Sequence, residues 1–292
     1  MEHKAGFVNI IGNPNVGKST LMNALIGEKI SIITRKAQTT RHRILGILNE
    51  ENYQIVFSDT PGIIKPVYRL QESMMNFVQS AFQDADVLIY MVEVGEKELK
   101  DDALFEKLKN TKVPILLLLN KIDLTQQEKV AEQIDHWKAK VPNAEILPIS
   151  ALNKFNLEKI LERILELLPI APPYYEKDAI TDKPKRFFVA ESIREKILKH
   201  YKQEVPYSVQ VEVEEFEDDE EIIKIRAIIY VMRESQKGII IGHKGAGIKR
   251  IGTEARKELE RFFDKKIFLE TPIKVKKNWR DDKRQLKSFG YE

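Results

Sequence analysis

The 292-residue chain has no cysteine, which excludes disulfides and thiolate metal sites. No stretch reaches the roughly 18 apolar residues that a membrane-spanning helix needs. Its 13 glycines and 12 prolines are scattered, without the period or density of a collagen-like or low-complexity chain. Neither charge sign dominates, since 48 Lys and Arg face 45 Asp and Glu. What is present is a 42% apolar share, enough for real cores, so wholesale disorder is excluded. Met1-Glu2-His3-Lys4 leads straight into a strand-like segment and leaves no room for a secretory signal. These readings predict a soluble, cytoplasmic protein.

The small net charge hides a gradient. Residues 1–180 hold 22 basic and 24 acidic side chains (−2), residues 181–221 hold 7 and 12 (−5), and residues 222–292 hold 19 and 9 (+10). A basic final quarter behind a near-neutral body points to a polyanionic partner held by the C-terminal part.

Apolar strands alternate with helical periodicity through the first 170 residues. Strands are predicted at 7–11, 44–48, 53–57, 87–92, 115–119 and 145–149, and helices at 18–26, 70–83, 101–110, 126–140 and 156–168. The continuous apolar runs at 87–92 and 115–119 suit strands buried on both faces of a mostly parallel sheet. The pattern predicts a doubly wound α/β domain over 1–172, with ligands at the carboxyl ends of its strands. Pro169, Pro172 and Pro173, then Tyr174-Tyr175, break the last helix and mark a linker over 173–184. Over 185–292 the order changes to a helix at 185–202, a strand at 207–213, an acidic turn at 215–221 and a strand at 222–232. A short helix, a Gly-rich turn at 242–247, a helix at 248–263 and a strand at 267–275 follow. This is a second, smaller α+β domain, with Phe187, Phe188, Phe262 and Phe263 read as core.

Gly12-Asn13-Pro14-Asn15-Val16-Gly17-Lys18-Ser19 fills the phosphate-loop pattern between a strand and a helix, with Thr20 next in the helix. Its amides and the helix N-terminus favour bound phosphates. Lys18 is placed for the β and γ phosphates and Ser19 for Mg²⁺. Asp59-Thr60-Pro61-Gly62 follows a strand, so Asp59 is expected to hold Mg²⁺ through water and the Gly62 amide to sense the γ phosphate. Asn120-Lys121-Ile122-Asp123 also follows a strand. Asp123 would accept from the N1 and N2 donors of guanine, Lys121 would lie along the base, and Asn120 would tie this loop to the phosphate loop. Ser150-Ala151 would offer an amide to guanine O6. The ligand is GTP or GDP. Within residues 34–43, a Thr of Gln38-Thr39-Thr40-Arg41 is expected to close on the metal and the γ phosphate. Thr40 is favoured over Thr39, although spacing does not separate them. Lys18, Thr40 and Gly62 form the expected catalytic set.

Gly242-His243-Lys244-Gly245 sits between two helices and after two strands, the setting of a type II KH domain, which clamps single-stranded nucleic acid. His243, Lys244, Lys249 and Arg250 are assigned to phosphates, and the groove beside Ile240 and Ile248 to unstacked bases. Lys276, Lys277 and Arg280 add charge. Trp279 is counted with the RNA contacts as a stacking surface, although a Trp beside a terminal strand is more often a packing plug.

The first domain's motifs resemble those of the translation-associated bacterial GTPases. Many other small GTPases place a water-orienting Gln after the last Gly of the second motif, where this chain has Ile63. Some relatives use a phosphate-loop Asn to help hold K⁺, and Asn15 matches that position, so K⁺ stimulation is an expectation. The two halves together resemble the bacterial Era GTPases over essentially the whole chain. That resemblance implies a slow GTP-hydrolysing switch dependent on Mg²⁺, turning over unassisted at about 10⁻⁴ to 10⁻² s⁻¹. It further implies binding to the 3′ end of 16S ribosomal RNA, a role in 30S subunit assembly, and peripheral association with the inner face of the cell membrane. The sequence carries no independent support for membrane association. The chain is expected to be a monomer. A GTPase acting on tRNA and a constitutive RNA scaffold stay open as other readings.

Overall fold

The computed structural model describes residues 2–291. Met1 and Glu292, the outermost residues of the two expected domains, lie outside them. The chain forms two compact units, one running up to Val67 and from Gln71 to Asp182, the other taking Tyr68–Leu70 and the chain from Lys183 onward.

The first unit contains β1 (Lys4–Ile11), α1 (Lys18–Ile26), β2 (Ile44–Glu50), β3 (Tyr53–Asp59), α2 (Arg69–Ala81) from Gln71 onward, β4 (Val87–Glu93), α3 (Asp102–Asn110), β5 (Ile115–Asn120), α4 (Gln127–Lys140), β6 (Ala144–Pro148) and α5 (Leu157–Leu167). Its sheet has the order β2-β3-β1-β4-β5-β6. Only β2 runs antiparallel, because just two residues, Glu51 and Asn52, join it to β3 and a parallel pair needs a longer crossover. The apolar runs of β4 and β5 are buried almost throughout, as a sheet covered on both faces requires. The carboxyl ends of β1, β3 and β5 deliver the phosphate loop, Asp59 and Asn120 to one edge of this sheet.

The segment expected as a linker is laid along β2 and β3. The Gln54 carboxamide accepts from the Tyr174 and Tyr175 amides at 2.7 and 2.9 Å. The Ile47 amide donates to Ile180 O at 2.9 Å, and the Leu45 amide to Asp182 Oδ1 at 3.0 Å. This strap covers donors that an edge strand would otherwise expose.

The second unit contains α6 (Lys185–His200), β7 (Gln210–Asp218), β8 (Ile222–Val231), α7 (Glu234–Ile241), α8 (Ala246–Phe263), β9 (Lys266–Glu270), β10 (Ile273–Val275) and α9 (Lys283–Ser288). β8 pairs antiparallel with β7 and parallel with both β9 and β10. Val189, Ile193 and Ile197 of α6 and Ile251, Ala255 and Leu259 of α8 pack with Ile225 and Ile229 of β8 as its core.

Three details depart from the sequence reading. The acidic run stays in β7 as far as Asp218, beyond a bulge between Val213 and Glu215, because cations lie opposite it. Arg226 pairs with Glu214, and Lys185 and Lys265 both pair with Asp218. The single strand expected at 267–275 divides at Pro272, which has no amide to donate. The aromatic pairs lie at the margin of the core: Phe262 is 42% exposed, with its ring against Phe188 and Phe263 at 5.3 and 4.9 Å. Among the described residues, no helix is long and apolar enough to cross a membrane.

Candidate functional site

The phosphate loop turns on Gly17, whose φ is +108° and where a Cβ would lie 2.4 Å from Asn120 Nδ2. Asn15 also has positive φ, +67°. The loop runs into the N-terminus of α1, where unpaired amides and the helix dipole favour an anion. Lys18 is buried and curls back, donating to Gly12 O at 3.0 Å and Asn13 O at 2.8 Å. Burial lowers its pKa to about 8, against the opposing pull of Asp59 and Glu96. An ammonium bonded only to neutral carbonyls is ready to exchange them for phosphate oxygens.

Three oxygens from different elements meet beside it. Ser19 Oγ donates to Asp59 Oδ2 at 2.6 Å, Thr40 Oγ1 donates to the same oxygen at 3.2 Å, and the two hydroxyls are 3.0 Å apart. Thr39 faces elsewhere, 2.6 Å from Thr34 Oγ1 and donating to Lys36 O at 2.7 Å. The geometry therefore separates the two threonines and brings Thr40 to the carboxylate. Asp59 Oδ1 is buried without a hydrogen-bond partner. Burial raises the Asp59 pKa in spite of Ser19, Lys18 and Thr40. An all-oxygen donor set with one orphaned carboxylate oxygen fits Mg²⁺, a hard cation that completes its shell with phosphates and water. Ser19, Thr40 and Asp59 are the residues that would hold it.

Gly62 is pressed against the phosphate loop, where a Cβ would fall 2.7 Å from Pro14 Cα. The Ile63 amide donates to Gly12 O at 3.1 Å, and the Ile63 side chain is 0% exposed. A cavity is lined by Pro14, Asn15, Lys18, Ser19, Thr40 and Gly62, together with Gln38 and neighbouring residues of 32–39.

Asn120 links loops distant in sequence. It donates to Val16 O at 2.7 Å and accepts from the Ala151 amide at 2.9 Å. Of the two amides offered to guanine O6, that of Ala151 is thus engaged with Asn120 and that of Ser150 donates to Phe155 O at 3.4 Å, so serving a base requires sharing or exchanging such a bond. Ser150 Oγ accepts from the Asn153 amide at 3.2 Å. Lys121 turns the chain at φ +66° and is ion-paired with Glu93. Asp123 is exposed on the following turn.

Motif reading missed Glu96. Asn13 donates to Glu96 Oε1 at 2.5 Å and to Glu98 O at 3.0 Å, and accepts from the Lys100 amide at 3.2 Å. Burial pushes the Glu96 carboxyl up to about 7. No sequence signal marks it, because an acid beside a phosphate loop belongs to no phosphate-binding pattern.

In the second unit, Gly242, Lys244 and Gly245 take positive φ of +70°, +48° and +80° at the corner between α7 and α8. Exposed His243 and Lys244 lie on this corner, and exposed Lys249 and Arg250 lie on the first turns of α8. Ile248 and Lys249 line a cleft with Gly252, Thr253, Arg256, Leu269 and Thr271. Ile248, Gly252 and Arg256 recur at four-residue spacing, a stripe on α8 that periodicity could have revealed.

Two RNA-site assignments need correction. Ile240 is 0% exposed and belongs to the core, with its carbonyl bonded to Tyr201 OH at 2.8 Å, so it lines no groove. Trp279 is 0% exposed, donates from Nε1 to Ser208 O at 2.8 Å and meets the Phe289 ring edge-on, so it is a packing plug and presents no face to a base. Lys276 is held over the Tyr230 and Phe289 rings at 4.6 and 4.5 Å. Lys277 is exposed and Arg280 half-buried.

Residues 7–121 match the 50S ribosome-binding GTPase family, and residues 204–280 match the KH domain family. The fold superposes, with a TM-score of 0.95 and 40% identity over 99% of both chains, on Era in complex with MgGDPNP and nucleotides 1506–1542 of 16S ribosomal RNA. A variant of Aquifex aeolicus Era bound to GDP and AlF4⁻ is likewise 40% identical over 99% of both chains, with a TM-score of 0.94.

Proposed function

The chain belongs to the Era GTPase family, and from that premise we propose a slow GTP-driven switch that holds the single-stranded 3′ end of 16S ribosomal RNA during assembly of the 30S subunit. The observation that carries the reading is the meeting of Ser19, Thr40 and Asp59 at the mouth of the phosphate loop, in one chain with a Gly-x-x-Gly corner.

Lys18 exchanges its two carbonyl partners for the β and γ phosphates. Ser19, Thr40 and Asp59 would hold Mg²⁺, which would supply positive charge to offset the negative charge that develops on the phosphates. Thr40, which donates to Asp59 here, would help hold that metal, and residues 34–43 close over the cavity only while a γ phosphate is present. Asn120 keeps the base loop in register with the phosphate loop, and Asp123 reads guanine. In the KH unit, backbone at the Gly242–Gly245 corner receives the nucleic-acid backbone, while the cleft beside Ile248 receives bases. Nucleotide and RNA affinities must shift each other by the same factor. We add that Asn15 holds K⁺ beside the phosphates and that the protein acts as a cytoplasmic monomer.

The test is fluorescence anisotropy with a single-stranded RNA of the 16S 3′ end, titrated with the full chain in GDPNP and in GDP. Tighter binding in GDPNP than in GDP, lost in Gly245→Asp with GDP affinity unchanged, is the expected result. Equal binding of a scrambled RNA would overturn the assignment.

A further inference from the structure

Hydrolysis needs a group that holds one water in line with the bond to be broken. The position after Gly62 cannot supply it, since Ile63 is apolar, buried and tied through its amide to Gly12 O. A water-orienting side chain must accept one hydrogen bond and donate another to the phosphate, which a carboxamide does with oxygen and nitrogen from one rigid plane.

The polar side chains lining the cavity narrow the choice. Lys18 is the phosphate cation, and Ser19 and Thr40 converge on Asp59. Thr60 Oγ1 donates away from the cavity to Ile10 O at 2.7 Å, and Thr34 and Thr39 bond each other. Lys36 only donates, and Thr20 sits in the first turn of α1 behind Ser19. Asn15 and Gln38 are the carboxamides among the lining residues, both at positive φ, +67° and +59°. Such backbone in residues other than glycine is uncommon and gathers at functional sites. Asn15 sits within the phosphate loop. Gln38 belongs to the segment 34–43 and stands two residues before Thr40, so the contact that brings Thr40 to Asp59 also fixes Gln38 at the cavity wall.

We infer that Gln38 is the catalytic residue that orients the attacking water, carried to the cavity by the segment that holds Thr40. The inference rests on the GTPase reading above. The Gln38 side-chain oxygen accepts from the water, and its NH₂ donates to a γ-phosphate oxygen. The water oxygen bonds to the γ phosphorus while the bond from that phosphorus to the β–γ bridging oxygen breaks. The electron pair stays on GDP, and the water proton passes to a γ-phosphate oxygen, so GTP and water give GDP and inorganic phosphate. The amide is not itself protonated.

The experiment compares the full-length wild type with Gln38→Ala and Gln38→Gly. It reads steady-state hydrolysis, GDPNP affinity and capture of GDP with aluminium fluoride. Glycine adopts φ +59° without strain, so that variant removes the amide while sparing the loop. Both variants are expected to lose about 100-fold in kcat and to fail to capture aluminium fluoride, with GDPNP affinity within about twofold of wild type. Unchanged kcat in Gln38→Ala would overturn the proposal. So would near-normal turnover in Gln38→Gly, or GDPNP affinity that falls in step with kcat, because each puts the effect in the loop and not in the amide. Absence of turnover in the wild type would instead remove the GTPase reading on which the proposal stands.

Discussion

Glu96 takes a 2.5 Å hydrogen bond from the Asn13 carboxamide, so the loop after β4 is fastened to the phosphate loop through an acid. The other Glu96 oxygen accepts from the Glu93 amide at 3.3 Å. Burial holds this carboxyl up at about 7, although Asn13 and Lys18 favour its charged form. Near neutral pH it therefore changes charge within the field of the lysine that meets the phosphates.

Glu96→Gln keeps a group that can accept from Asn13 and deletes the titration. Because the folded pKa lies above the carboxyl's ordinary value, the stability it lends is present below about pH 4.5 and is lost as the pH rises through about 7. The variant should show a shallower fall in melting temperature between pH 5 and pH 8, and tighter GDP binding at pH 8. Parallel melting curves for wild type and variant would contradict this.

Lys18 titrates in the opposite sense. Its folded pKa of about 8 lies below the ordinary 10.5, so the unfolded chain holds more protons between those values and this group favours the nucleotide-free fold increasingly as pH rises through that window. Phosphate binding keeps the ammonium charged. Above pH 8, GTP binding should take up a proton, and affinity should fall by up to about tenfold per pH unit. Calorimetry at pH 9 in two buffers of different ionisation enthalpy measures that uptake, and equal heats would exclude it.

Sequence order made the nucleotide site legible because each motif stands at the carboxyl end of a strand. Glycines at both ends of α1, Gly17 and Gly27, punctuate the helix and fix its predicted limits. Long-range partners were not legible. The strap at 170–182 forms through Gln54 and the free edge of β2, more than a hundred residues earlier. The acidic end of β7 reads as a turn by composition, yet Arg226, Lys185 and Lys265 hold it in the sheet. Among Ile239, Ile240 and Ile241, only helix phase decides which faces the core; Ile240 does, and Ile239 is exposed.

Trp279 offers a stability test that separates packing from RNA contact. Its burial against Phe289 and its bond to Ser208 O predict that Trp279→Ala costs about 3–5 kcal/mol, by truncating a large core side chain. Trp279→Phe keeps most of the volume but strands the Ser208 carbonyl, at a cost of about 1–3 kcal/mol. Scanning calorimetry should show the KH transition lowered in that order. RNA affinity of folded Trp279→Phe should equal that of wild type, and a selective loss of RNA binding without a stability change would reinstate stacking.

Base selectivity should reside in Asp123, which is exposed on a turn beginning at Lys121 and anchored through Asn120 to Val16 and Ala151. A carboxylate accepts from both N1–H and N2–H of guanine. In Asp123→Asn one acceptor becomes an NH₂ group, which meets the guanine amino group donor to donor. Xanthine carries a carbonyl oxygen at that position, so the mismatch becomes a hydrogen bond. A site that reads a base through such bonds discriminates by on the order of 10⁴, and most of that preference should move from GTP to XTP in the variant. Competition of both nucleotides against a fluorescent analogue measures the ratio. Because Asn120 is untouched, the loop anchor survives the substitution, so equal loss of GTP and XTP would mean that Asp123 supports the loop and that another group reads the base.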